Sequence, residues 1–132
     1  MKYLKITFAL FIVALIFVAV KSNALSHPLN NIKVPALQGT YIVSSKAKIN
    51  FDTLQYIKKT SAKDSVTGVA RAVDAKVHGQ TAGTKDSNWL TTTTSKQSFG
   101  SAVKTPGSYV LYLKASTWAV TGVTFNGDWY YD

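Results

Sequence analysis

The chain has 132 residues, with 15 Lys or Arg against six Asp, no Glu and no Cys, for a formal charge of +9. Without cysteine there can be no disulfide framework, no thiolate metal site and no lipid-modified N-terminal Cys. Without glutamate, any catalytic carboxylate pair must be drawn from Asp52, Asp64, Asp74, Asp86, Asp128 and Asp132.

Met1 to Lys5 carries Lys2 and Lys5, Ile6 to Val20 is apolar apart from Thr7, and Ser22-Asn23-Ala24 supplies small or polar residues. A positive start, a short apolar run and a small-residue exit predict a secretory signal peptide over 1–24, cleaved after Ala24. The run falls short of the ~20 apolar residues that span a bilayer, which makes an uncleaved anchor the lesser alternative. The predicted mature chain is extracellular and, at 132 minus 24, has 108 residues, enough for one domain. Its charge is +6, from 12 basic residues and six Asp. No Asn begins a glycosylation triplet, and the Lys-rich, cysteine-free composition fits a bacterial product better than a eukaryotic one.

Residues 25–37, with two prolines and no steady period, read as an extended lead-in whose order depends on docking, and 38–132 as a single domain. Gly39 to Val43 predicts a first strand, Ser44-Ser45 a turn, and Lys46 to Phe51 a second strand burying Ala47, Ile49 and Phe51. Asp52 to Lys63 fits a short helix or a strand, and the all-strand context favours the strand. Val66 to His78 predicts the longest middle strand, with Val69, Val73, Ala75 and Val77 on one parity. Gly79 to Asn88 is turn chemistry, and Trp89 to Thr94 is a β-branched strand. Ser95 to Thr105 is a loop anchored by Phe99, and Thr105 to Ser108 has the Pro-Gly order of a type II turn.

Pro106 to Asp132 organises the rest. Tyr109 to Ala115 alternates. Asn126-Gly127 is a strong hairpin signal, yet Ala119, Thr121, Val123, Phe125, Gly127, Trp129 and Tyr131 share one parity. The unbroken parity favours a continuous strand, bulged at Gly127, over the hairpin. Six or seven strands with no helix predict an all-β fold, a small antiparallel β-sandwich, with a closed barrel as the alternative.

Enzymatic constellations are nearly absent. All the Asp but Asp74 fall in loops or at strand ends, where Asp more often forms turns. His27 and His78 lack ligand spacing, and there is no nucleophile elbow, phosphate loop or zinc-protease motif. The expectation is a protein without catalytic, metal or cofactor sites. Tyr112 and Tyr130, with Lys114, have the parity that points away from the core and form the candidate ligand-binding face. The predicted function is a secreted basic binding module that holds an anionic polymer of the cell envelope, or a protein partner. An antimicrobial or membrane-active protein of bacteriocin type is the alternative and peripheral membrane contact stays open, while export makes nucleic acid a minor option. An exported hydrolase ranks third.

Overall fold

The computed structural model describes residues 25–132, so the predicted signal peptide lies outside the described residues. Eight strands follow in chain order: β1 (Ser26–Val34), β2 (Thr40–Lys48), β3 (Tyr56–Asp64), β4 (Val73–Gly79), β5 (Leu90–Thr91), β6 (Gln97–Ser98), β7 (Gly107–Ala115) and β8 (Val123–Tyr130). They form two antiparallel sheets of four, ordered β1-β8-β3-β6 (sheet A) and β2-β7-β4-β5 (sheet B). The sheets are not closed into a barrel. Every connection crosses from one sheet to the other except β4 to β5, which is the double Greek-key winding of a jelly roll. No helix of the described residues is long and apolar enough to cross a membrane.

The strands that carry this arrangement are β7 and β8, each central in its sheet. β7 buries Tyr109, Leu111, Leu113 and Ala115, and β8 buries Val123, Phe125 and Trp129, all on the odd parity. Leu29, Val34, Val43, Ile57, Ala62, Val73, Ala75 and Val77 from their neighbouring strands join them in the core. Burying one large aromatic removes roughly 150–250 Å² from water, a gross gain of about 4–6 kcal/mol at ~25 cal/mol/Å². That is how a domain without disulfides gains its stability.

The polar groups caught inside are paired. Gln55, fully buried before β3, accepts from Trp129 Nε1 at 3.1 Å and donates to the Val103 carbonyl at 3.1 Å. Lys48 and Asp132 form a buried ion pair at 3.3 Å, and Asp132 also accepts from the Asn50 amide at 2.9 Å. No buried side-chain N or O among the described residues lacks a partner.

Asn126-Gly127 is not a turn, and β8 runs straight through it. The irregularity expected at Gly127 lies instead in both neighbours, where the register slips between Leu29 and Ile32 of β1 and between Lys59 and Ser61 of β3. Gly127 accommodates this close approach, since a Cβ there would stand 2.3 Å from the Lys58 carbonyl oxygen.

Other expectations are corrected. The 25–37 lead-in is extended and docked: residues 26–34 are the edge strand of sheet A, so the sandwich begins at Ser26. Ser44-Ser45 does not turn the chain but bulges β2 between Val43 and Lys46. The slip reverses the parity beyond it, so Lys48 is buried while Ala47, Ile49 and Phe51 are exposed. Asp52 to Lys63 supplies β3, the favoured strand. The long strand from Val66 shrinks to β4, because Asp64 Oδ1 accepts the Val66 and Thr67 amides and Gly68 adopts φ +72°, bending the chain. The Trp89 to Thr94 strand shortens to two residues. Phe99 is the buried anchor expected of its loop, and the type II turn is replaced by a bend before Gly107, which opens β7.

Gly127→Ala is expected to destabilise the fold by about 1–3 kcal/mol, the range of overpacking a tight site. Urea unfolding followed by Trp fluorescence checks it, and a change within error would remove the close-approach argument.

Candidate functional site

The side chains chosen from the sequence do not share one surface. Tyr112 and Lys114 lie on the outer face of sheet B and Tyr130 on the outer face of sheet A, all half-buried. Parity reports which side of its own sheet a residue takes, and consecutive strands here belong to opposite sheets. Packed sheets stand ~10 Å apart, so their outer faces look in opposite directions.

Around Tyr112 and Lys114 the strand register assembles a polar face. Ile42, Tyr112 and Lys76 lie abreast across β2, β7 and β4, and Thr40, Lys114 and Asp74 form a second row. The His78 ring stacks on Tyr112 with centroids 5.5 Å apart and planes 13° from parallel. His78 Nδ1 donates to Asp86 Oδ1 at 2.7 Å, and Lys76 Nζ pairs with Asp86 Oδ2 at 3.1 Å. Burial pushes the Asp86 carboxyl up. The hydrogen bonds from Lys76, His78 and the Gly79 amide outweigh it and hold the group below the usual carboxylate range. Lys114 Nζ sits 4.3 Å from the centre of the Trp89 ring, while Asp74 accepts from Thr91 at 2.7 Å and Ser116 at 2.6 Å. Lys76 and Lys114 thus face Asp74 and Asp86, and the charges of this face cancel.

Sheet A presents the opposite balance. Across β3, β8 and β1 its outward rows are Tyr56, Tyr130 and Ser26; then Lys58, Asp128 and Pro28; then, past the bulges, Lys63, Thr124 and Lys33. Lys96, from the β5–β6 connection, places Nζ 4.1 Å from the Tyr130 ring centre and 4.7 Å from that of Tyr56. Each such cation–π contact is worth about 0.5–1 kcal/mol at an exposed site. Lys33 donates to Thr124 Oγ1 at 2.9 Å. Four exposed lysines and two tyrosines meet one carboxylate, Asp128, and that is the basic, tyrosine-bearing face.

Tyr56 and Lys96 were invisible as partners of Tyr130 in the sequence, as were Trp89, Lys76, His78 and Asp86 around Tyr112. Cross-strand register brings them together over separations that no local pattern encodes. Among the described residues, no group of three His, Cys, Asp or Glu is arranged to hold a metal ion. His27 is half-buried in β1, and burial, then the neighbouring Lys46 charge, lowers its pKa.

Compared with protein-family models, curated proteins and solved structures, the chain matches none.

At the end of the sandwich where β3 stops, Asp64 is buried. It accepts the Val66 and Thr67 amides at 2.9 Å each, the Thr121 hydroxyl, and Arg71 at 3.4 Å. The Thr121 hydroxyl, then the Thr67 and Val66 amides, hold its carboxyl far below the usual range. A carboxylate depressed in the folded state stabilises it above the unfolded value, about pH 4, and that contribution is lost as pH falls toward the folded value. Asp86 and Asp132 are shifted the same way. The urea midpoint is therefore expected to fall on acidification below about pH 4. Asp64→Asn should lower the urea midpoint at neutral pH and flatten this acid dependence. An unchanged pH profile in the variant would remove Asp64 from the explanation.

Proposed function

We propose that the chain is an exported binding module that holds an anionic polymer of the cell envelope on the outer face of sheet A. What carries the reading is the charge imbalance there: Lys33, Lys58, Lys63 and Lys96 against Asp128 alone. Tyr56 and Tyr130 lie within this field and add flat surfaces for sugar rings. Sheet B is a poorer fit, because Asp74 and Asp86 neutralise its lysines. The site chosen from the sequence thus narrows to Tyr130 with new neighbours, and Tyr112 and Lys114 leave it.

Lysine acts on a phosphodiester or carboxylate polymer as a point charge, so affinity is electrostatic and falls with salt. The export itself rests on the composition of residues 1–24, where the positive start precedes the apolar run.

Purified teichoic-acid-bearing cell wall, titrated at increasing sodium chloride, tests the reading. Binding should weaken steeply with salt, and each of Lys33→Gln, Lys58→Gln, Lys63→Gln and Lys96→Gln should lower the logarithmic salt slope by about 0.7, as for other single-stranded polyanions. Lys76→Gln and Lys114→Gln should change it little. Salt-independent binding, or loss of binding through the sheet B lysines instead, would overturn the assignment.

A further inference from the structure

The pole of the sandwich where β1 and β3 end and β8 begins carries an apolar crown that adjoins the sheet A polymer face and shares Lys33 and Lys63 with it. Three connections meet there: 35–39 between β1 and β2, 65–72 between β3 and β4, and 116–122 between β7 and β8. Hydrogen bonds from the Leu37 amide to the Ala119 carbonyl (2.8 Å) and from the Ser65 amide to the Gly122 carbonyl (2.9 Å) tie them together. They display Leu37, Val66, Val69, Trp118 and Val120, each between 57 and 89 % exposed. These are half of the large apolar side chains exposed among the described residues. Five such side chains from three adjoining loops are more than scattered surface residues account for.

Three further observations identify what covers them. In the 35–39 and 65–72 loops much of the backbone is already paired, since the Gly39 amide donates to the Ala36 carbonyl, the Asp64 amide to Val69 and the Gly68 amide to Asp64, which lowers the cost of bringing these two loops to an apolar medium. Leu37 is held at φ +54°, a conformation costly for a branched side chain, with that side chain in solvent. The charge around the crown is positive: Arg71 and Asp64 neutralise each other, whereas Lys33 and Lys63 flank the loops in the row just below the strand ends. Trp118, an amphipathic ring, has the chemistry that settles at the headgroup level of a bilayer.

We propose that this crown enters the interface of an anionic lipid bilayer, with Trp118 and Val120 as the deepest side chains and Lys33 and Lys63 against the headgroups. The area is apolar at its centre and cationic at its rim, the order in which a bilayer presents itself from tails to anionic surface.

The orientation makes the test specific. β1 begins at the opposite pole, beside Tyr130, and its nine residues span roughly 30 Å. If residues 1–24 alone held the chain on a vesicle, Trp118 would stand on the far side. The full chain carrying Trp89→Phe is mixed with vesicles of phosphatidylglycerol and phosphatidylcholine containing brominated acyl chains. Residues 1–24 hold no Trp, and Trp129 is fully buried. Emission should shift to the blue and drop at least about twofold, with quenching lost in Trp118→Phe and at least halved in Val66→Ser/Val120→Ser, which retains Trp118. Pure phosphatidylcholine vesicles should give much weaker quenching. Vesicle-bound chain with unquenched Trp118 would overturn the proposal, as would quenching that survives Trp118→Phe. Dimers that the Val66→Ser/Val120→Ser variant dissolves, with no vesicle quenching, would reassign the crown to a second copy of the chain.

Discussion

Everything in this sandwich rests on two strands that are not hydrogen-bonded to each other. β7 and β8 are consecutive in sequence, yet each is the central strand of its own sheet, and their inward residues face each other across the core. Tyr109, Leu111 and Leu113 on one side and Val123, Phe125 and Trp129 on the other are all buried. Every longer strand, β1 to β4, finds its main partner in one of these two. The polar groups inside serve the same centre: Gln55 satisfies the indole of Trp129, and the Lys48–Asp132 pair closes the core beyond the end of β8. An unpaired group at either place would cost more than one paired hydrogen bond contributes.

This arrangement explains which parts of the fold were legible. Parity was readable wherever a strand ran without interruption, and so β7 and β8 emerged from alternation alone, even against the hairpin signal of Asn126-Gly127. It failed where a bulge intervened. Ser44 and Ser45 look like turn residues, and only their pairing opposite β7 shows that the strand continues with its faces exchanged, burying Lys48 and exposing Phe51. It failed again at Val66 and Val69, whose β-branched character is overridden by the amides gathered on Asp64. Edge strand β1 has weak alternation because its register slips opposite Asn126. A Pro is tolerated within it because an edge strand leaves one row of amides unpaired.

The candidate site was less legible than the fold for a related reason. Outwardness could be read for Tyr112, Lys114 and Tyr130, but the sheet to which each strand belongs is a property of topology. Once the strands are assigned, electrostatics separates the two faces. Asp86, reaching back from the β4–β5 connection, engages both Lys76 and His78, so sheet B is neutral by construction. Among the described residues no ion pair reaches the sheet A lysines, and Lys96 is the one that stands over Tyr56 and Tyr130.

The central position of β7 and β8 also sets an order in time. Before Gly107 has been synthesised, the only strand pairs available among the described residues are β3 with β6 and β4 with β5, each a ladder of two residues. Such ladders are too short to survive on their own in water. β1 meets its partner across about a hundred residues of chain, the kind of non-local closure that makes all-β folding slow. The polypeptide therefore passes through most of its synthesis with neither sheet assembled: sheet B has all its strands only once β7 is made, and sheet A only when β8 follows.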